Sequence, residues 1–188
     1  MIHHFPKICY NANELLDDCN KISTFIGRLR KQADSRPDYF EPHVYFGDGF
    51  EAFVETLITS SPIDQRIGIR DYQPTPAEHD MGVDGVGYGP AGEIHTVQAK
   101  ARSNPNGILT ANRDHISNFV AHSGAKYNAI NDNMTIFTTA KDLHQELNEK
   151  MYMGKVRTIG INDLRVLVDR NENFWRIFRD EVKYFNKR

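Results

Sequence analysis

The sequence predicts an α/β fold: a mixed central sheet flanked by helices, with an N-terminal helical extension ahead of it. Three observations predict it. Val83 to Tyr88 and Glu93 to Lys100 read as strands joined by the turn-rich Gly89-Pro90-Ala91-Gly92. Met134 to Thr138, Met-Thr-Ile-Phe-Thr, reads as a short buried strand. Around these lie stretches whose apolar residues recur at helical spacing, which sets helices against the sheet.

Taken in order, Asn11 to Ala33 reads as helix, with Leu15, Leu16, Cys19, Ile22, Phe25, Ile26 and Leu29 on one stripe and Asn11 or Asn13 as cap. Its stripe is expected to pack on the core or to form a dimer contact. Ser35-Arg36-Pro37-Asp38 breaks the pattern, so residues 1–43 are read as the extension and 44–188 as the main domain with C-terminal helices. A second helix starts at Gly47, where Phe50, Phe53, Val54 and Leu57 form one buried stripe, and Ser60-Ser61-Pro62 ends it. Arg66 to Tyr72 is a strand, and Thr110 to His122 a helix after the hairpin. Beyond Met134 to Thr138 the pattern gives a helix from Lys141 to about Met151, a strand near Val156 to Ile159, and helices over Asn162 to Leu167 and Glu172 to Phe185.

A chain of 188 residues suffices for one well-buried domain with an extension. No apolar run approaches the roughly 18 residues of a membrane span, and Met1 to Lys7 lacks a signal-peptide pattern. Cys9 and Cys19 form no CxxC pair, and the histidines show no zinc-ligand spacing, so a thiolate or zinc site is not expected. The expected location is cytoplasmic. A net charge of −2 argues mildly against a protein that coats DNA non-specifically, although it leaves room for a local basic patch. Basic residues from Lys155 to Arg188 are interspersed with acids and read as a solvated surface. Phe174, Ile177 and Phe178 read as the buried stripe of the last helix rather than as a base-stacking platform.

The chemistry concentrates in the hairpin. Antiparallel pairing across the turn sets Tyr88 opposite Ile94, Val86 opposite Thr96 and Asp84 opposite Gln98. Residues two apart on a strand share a face, so Asp84, Gln98 and Lys100 converge. A carboxylate, an amide oxygen and waters make an oxygen-only site suited to a hard cation such as Mg²⁺. Lys100 would orient or deprotonate an attacking water and meet charge building on a phosphate. The same three residues also suit a solvated sheet face, and spacing alone leaves that alternative open.

Asp84 followed after thirteen residues by Gln98-Ala99-Lys100 resembles the active-site motif of the PD-(D/E)xK nuclease superfamily, in the Mrr-type restriction endonuclease branch where Gln replaces the middle acid. Gly47-Asp48-Gly49-Phe50-Glu51-Ala52-Phe53-Val54-Glu55 is similar to that branch's opening helix with its Phe-Glu pair. Asp80-Met81-Gly82-Val83-Asp84, Val97-Gln98-Ala99-Lys100 and Ile136-Phe137-Thr138-Thr139 resemble its later segments, in the family's order from about Tyr45 to Leu147. The resemblance implies a restriction-endonuclease-like mixed sheet and a DNA endonuclease dependent on Mg²⁺, with Mn²⁺ as a substitute. It implies Glu51, Asp84, Gln98 and Lys100 as the catalytic set, with Asp84, Gln98 and Glu51 on the metal. Glu55, one turn from Glu51, and Asp80 are secondary candidates. Because Gln98 brings no charge, a helix carboxylate is needed beside Asp84.

Around such a site Arg70, Arg102, Asn104, Asn106 and Arg113 offer donors to DNA phosphates and base edges. Thr138 to Phe178 also resembles the nuclease-like module of some viral and phage helicases, but no GxxxxGK[ST] loop is present. The expectation is therefore a free-standing restriction, homing or recombination nuclease, phage or mobile-element encoded. A cutter of both strands would act as a homo-oligomer. The alternatives are a catalytically inactive DNA-binding module and an accessory subunit that uses the fold for protein contacts.

Overall fold

The computed structural model describes residues 11–35, 41–60, 63–76, 81–102, 104, 107–110, 116–130, 132–144 and 156–185. Where one N-terminal helix is expected, two form: α1 (Ala12–Leu16) and α2 (Ile22–Ser35). The break falls at Asp17-Asp18. Aspartates compete for backbone hydrogen bonds inside a helix, and Asp18 adopts a φ of 55°. The gap is closed from the far end of the chain, since Asp169 Oδ1 accepts the Ile22 N–H at 2.9 Å and Asn20 O accepts the Arg170 N–H at 2.8 Å.

Helix α3 (Pro42–Thr59) starts earlier than Gly47 because Pro42 occupies the first helical position, where its missing N–H costs nothing. Phe50, Phe53, Val54 and Leu57 are all buried, as their spacing predicts. The expected strand from Arg66 divides into a short helix α4 (Ile63–Ile67) and strand β1 (Arg70–Pro74), separated by Gly68 at φ 77°. Strands β2 (Gly85–Tyr88) and β3 (Ile94–Lys100) form the hairpin, and β5 (Met134–Thr138) coincides with its predicted range. Between them lie β4 (Ile108–Leu109) and α5 (Ile116–Tyr127). Helix α5 runs past Ser123 and Gly124, a locally plausible stop, because the Ser123 hydroxyl is satisfied by Thr96 across the layer at 2.9 Å. The helix expected from Lys141 is replaced at Asp142–Leu143 by strand β6, which pairs with β4; its remainder from residue 145 lies outside the described residues. β7 (Arg157–Ile159), α6 (Ile161–Val168) and α7 (Glu172–Phe185) complete the chain.

The main sheet has the order β1-β2-β3-β5-β7, antiparallel from β1 to β3 and parallel from β3 to β7. Its two faces bury separate cores. Val97, Ala99, Phe137 and Ile159 pack with α1, α2, α3, α6 and α7. Met134 and Ile136 pack with Phe119 and Ile116 of α5. Residues 11–35 belong to the first of these cores: Phe25 stacks on Phe53 at 5.3 Å between centroids and meets Phe178 edge-on at 5.4 Å. On α7, Phe174 and Phe178 are buried as expected. Trp175 joins them with its Nε1 donating to Val168 O at 2.8 Å, while Ile177 is only half-buried. Among the described residues no helix is long and apolar enough to cross a membrane.

Candidate active site

The hairpin register is the one its turn predicts, with Tyr88 opposite Ile94 and Val86 opposite Thr96. Asp84 sits one residue ahead of β2, and three of its groups are tied. Its N–H donates to Val97 O at 2.9 Å, its C=O accepts the Thr75 N–H at 3.0 Å, and its Oδ2 accepts the Ala99 N–H at 2.5 Å. The Thr75 hydroxyl also donates to the Val83 carbonyl, so the end of β1 and the approach to β2 are fastened together. The last of the Asp84 bonds carries the chemistry: it holds a carboxylate against β3 at the residue between Gln98 and Lys100.

Strand alternation sends Thr96, Gln98 and Lys100 toward the α5 layer and Val97 and Ala99 toward α3. The Thr96–Ser123 bond and the membership of Val97 and Ala99 in the α3-side core agree with this. Gln98 is 0 % exposed, and neither its Oε1 nor its Nε2 has a hydrogen-bond partner among the described residues. Buried amides are nearly always paired, so one left open calls for a physical reason. Gly82, at φ 85°, leaves it room: a Cβ there would lie 2.7 Å from Gln98 Nε2. Lys100 is half-buried at the end of β3, where its carbonyl accepts the Thr138 hydroxyl at 2.7 Å.

The helix carboxylates come from the other layer. Glu51 is half-buried on α3, and Glu55, one turn on, is 3 % exposed. Burial, reinforced by the charges of Glu181 and Glu51, pushes the Glu55 carboxyl up to about 8. Glu55 is thus largely protonated at neutral pH and a poor source of negative charge. Sequence reasoning missed Tyr72. Its ring covers Gly85, where an added Cβ would come within 2.1 Å of the phenol oxygen. Burial first, then the charges of Asp84, Glu55 and Glu51, push that phenol well above its ordinary range. One buried hydroxyl therefore feels all three carboxylates. The available signal was Gly85 next to Asp84, since a strand glycine marks close approach by a neighbour.

Asp84 and Gln98 thus form the contiguous part of the predicted set along β3, while Glu51 lies on α3, which packs on the opposite face of the sheet. Among the described residues no group of three or more His, Cys, Asp and Glu is placed to hold a metal ion. Two carboxylates and one Gln amide would not make such a group. The orphaned amide beside a fixed carboxylate is the feature that fits a hard cation.

The predicted DNA contacts divide. Arg70 is tied to the hairpin turn: its Nη2 donates to Gly89 O at 3.2 Å and Pro90 O at 2.6 Å. Arg70 pairs with Tyr88, four residues or about 13 Å along the strand from Asp84. It does not border Asp84. Arg102 lies just past β3, with its N–H on Thr139 Oγ1 at 2.6 Å. Asn104 is exposed, and its carbonyl accepts the Gly107 N–H at 2.9 Å. Asp80, Asn106 and Arg113 lie outside the described residues. No family model, curated protein or solved structure matches the chain.

Proposed function

We infer that this protein is a metal-dependent DNA endonuclease that hydrolyses phosphodiester bonds at a site centred on Asp84. The observation that carries the reading is the Asp84 carboxylate bonded to Ala99 N–H, between a buried Gln98 amide without a partner among the described residues and Lys100. The order of elements supports it as well. A helix, an antiparallel three-strand meander, a crossover helix and a parallel strand follow in sequence, as a restriction-endonuclease-like sheet requires.

Asp84 and Gln98 are the residues that would hold Mg²⁺ or Mn²⁺; when bound, the cation supplies Lewis acidity toward water and the scissile phosphate. Asp84 brings the negative charge that Gln98 lacks. Lys100 orients the nucleophilic water and meets the charge that builds on the phosphate oxygens.

The test incubates the full chain with supercoiled, linear and branched DNA, in Mg²⁺ or in EDTA. Cleavage that requires the metal and is abolished by Asp84→Ala or Lys100→Ala is expected. Equal cutting by both variants would remove the site assignment. DNA binding in EDTA without cleavage in Mg²⁺ would favour a non-catalytic binding module instead.

A further inference from the structure

A second feature lies at the carboxyl ends of the parallel strands. A cavity of about 400 Å³ opens there, lined by four cationic side chains, Arg30, Arg102, Lys141 and Arg165. Among the described residues lining it there is no carboxylate. In a chain of net charge −2, four cations around one cavity are a marked local concentration. The Nε of Arg30 is buried without a hydrogen-bond partner among the described residues, and its guanidinium lies 5.8 Å from the centre of the Phe46 ring. Like charges that line one cavity repel one another, and an anion in their midst relieves the repulsion.

The backbone frame is suited to the same ligand. β3, β5 and β7 run parallel, and the residues just past their ends, Arg102, Thr139 with Lys141, and Ile161 with Asn162, all face the cavity. Ligands of open α/β sheets bind in this crevice beyond the strand ends. Ile161 and Asn162 also begin α6, whose N-terminal dipole favours negative charge. Asp163 Oδ2 takes the Gly160 N–H at 3.0 Å, so that dipole is partly answered from within, and the side-chain cations carry most of the attraction. The fourth wall is one face of α2, where Gly27 leaves space that any side chain would occupy.

We propose that this cavity is a phosphate-binding pocket, which takes the phosphate groups of a nucleotide or of a nucleic-acid strand. Its volume lies in the range of about 300–1,000 Å³ typical of small-ligand sites, larger than a single phosphate needs. Arg30 and Arg165 supply planar donor forks and Lys141 a mobile point charge. The pocket rests on its own residues and stands whether or not Asp84 cuts DNA. With DNA as ligand, Arg102 lies two residues beyond Lys100 on the same chain segment, so a bound strand would run from the pocket toward the candidate active site.

The test measures binding of a labelled single-stranded oligonucleotide and, separately, of a nucleoside triphosphate to the full chain in EDTA. Two variants probe the pocket without touching a core residue. Lys141→Glu/Arg165→Glu reverses two exposed cations. Gly27→Glu places an acid inside, at a helical site where an added Cβ meets nothing within 4 Å. Circular dichroism and melting verify that both fold. Binding by the wild type, weakened at least about tenfold in each variant, is expected; for single strands the salt slope should fall by ~0.7 for each phosphate contact removed. Selective binding of the triphosphate would name a free nucleotide as the source, and of the oligonucleotide a strand. No binding of either, or equal affinity and salt slope in all three proteins, would overturn the pocket. Metal-dependent cleavage with unchanged KM in the pocket variants would overturn it while leaving the nuclease reading intact. Pocket-dependent binding without any cleavage would do the reverse.

Discussion

The carboxylate of Asp84 accepts the backbone N–H of Ala99 at 2.5 Å. Charge-assisted bonds of this kind are short and roughly twice as strong as neutral ones. This one occupies a strand amide with a side chain where β2 begins, so Asp84 serves both the hairpin and the chemistry. Asp84→Asn separates the two roles, because its amide oxygen can still accept the Ala99 N–H while the charge is lost. Melting close to that of the wild type is expected, with metal-dependent DNA cleavage abolished. Retained cleavage would show that the charge has no catalytic part.

Lys100 ends β3 half-buried, beside that carboxylate in the strand order. If it meets charge that develops only as phosphate is attacked, Lys100→Ala should lower kcat by ~10²–10³ and leave KM nearly unchanged. Steady-state cleavage of a short duplex separates the two constants. A rise in KM alone would move Lys100 from catalysis to DNA binding.

Gly85→Ala tests the contact between Tyr72 and the start of β2. The new methyl would fall 2.1 Å from the phenol oxygen and 2.2 Å from Cζ. Neither backbone nor ring can yield so far without repacking, and overpacking of this kind costs about 1–3 kcal/mol. Urea unfolding should show a lower midpoint at unchanged slope. Combined with Tyr72→Ala, the loss should be smaller than the sum of the two single losses, because the clash is gone. An additive pair would mean that the ring does not cover Gly85.

Local pattern made the hairpin legible, since turn residues and two-residue alternation fix the register from Val86–Thr96 to Tyr88–Ile94 without outside help. Met134–Thr138 was legible too: Met, Ile, Phe and two β-branched threonines suit five consecutive buried strand positions. What failed depended on distant partners. Asp17-Asp18 is a local sign of the break after α1, but the contacts that hold it, Asp169 to Ile22 and Asn20 to Arg170, join distant parts of the chain. Asp142–Leu143 pairs with Ile108–Leu109 across a gap that helical propensity cannot see. At the site, the sequence placed Gln98 and Lys100 on one strand face, but it could not show that the buried Tyr72 phenol lies within the field of Asp84 and of both α3 acids.

Two buried groups set the pH dependence of stability in opposite senses. Glu55 rises from 4.5 to about 8, so between those values the native state keeps a proton that the unfolded chain has released. Its contribution is full below pH 4.5 and is lost as pH rises through about 8, with a slope of at most about 1.4 kcal/mol per pH unit. His95, bonded to Thr135 Oγ1 at 2.7 Å, falls from 6.5 to about 4, chiefly through burial. Its contribution is present above 6.5 and is lost as pH falls to about 4. The two slopes offset each other at intermediate pH, and above 6.5 only that of Glu55 remains. Chemical denaturation from pH 6.5 to 8 should show stability declining in the wild type and flat in Glu55→Gln. Parallel declines in both would place the titrating group elsewhere.

Gln98 offers the sharpest division between folding and function. Its amide is wholly buried and unpaired among the described residues, beside Ile136 on the face packed by Phe119. An unsatisfied buried polar group costs about 1–3 kcal/mol. A protein shaped for stability alone would place an aliphatic side chain there, so Gln98→Leu should raise the melting temperature in EDTA. The gain should come with a loss: a ligand bound only by the native state stabilises it by about 2.7 kcal/mol at a hundredfold excess over Kd. Mg²⁺ or Mn²⁺ should therefore raise the melting temperature of the wild type and leave Gln98→Leu unmoved, with cleavage abolished. If Gln98→Leu instead melts lower than the wild type in EDTA, the amide already has its partners within the fold. The case for reserving it as a ligand would then fail.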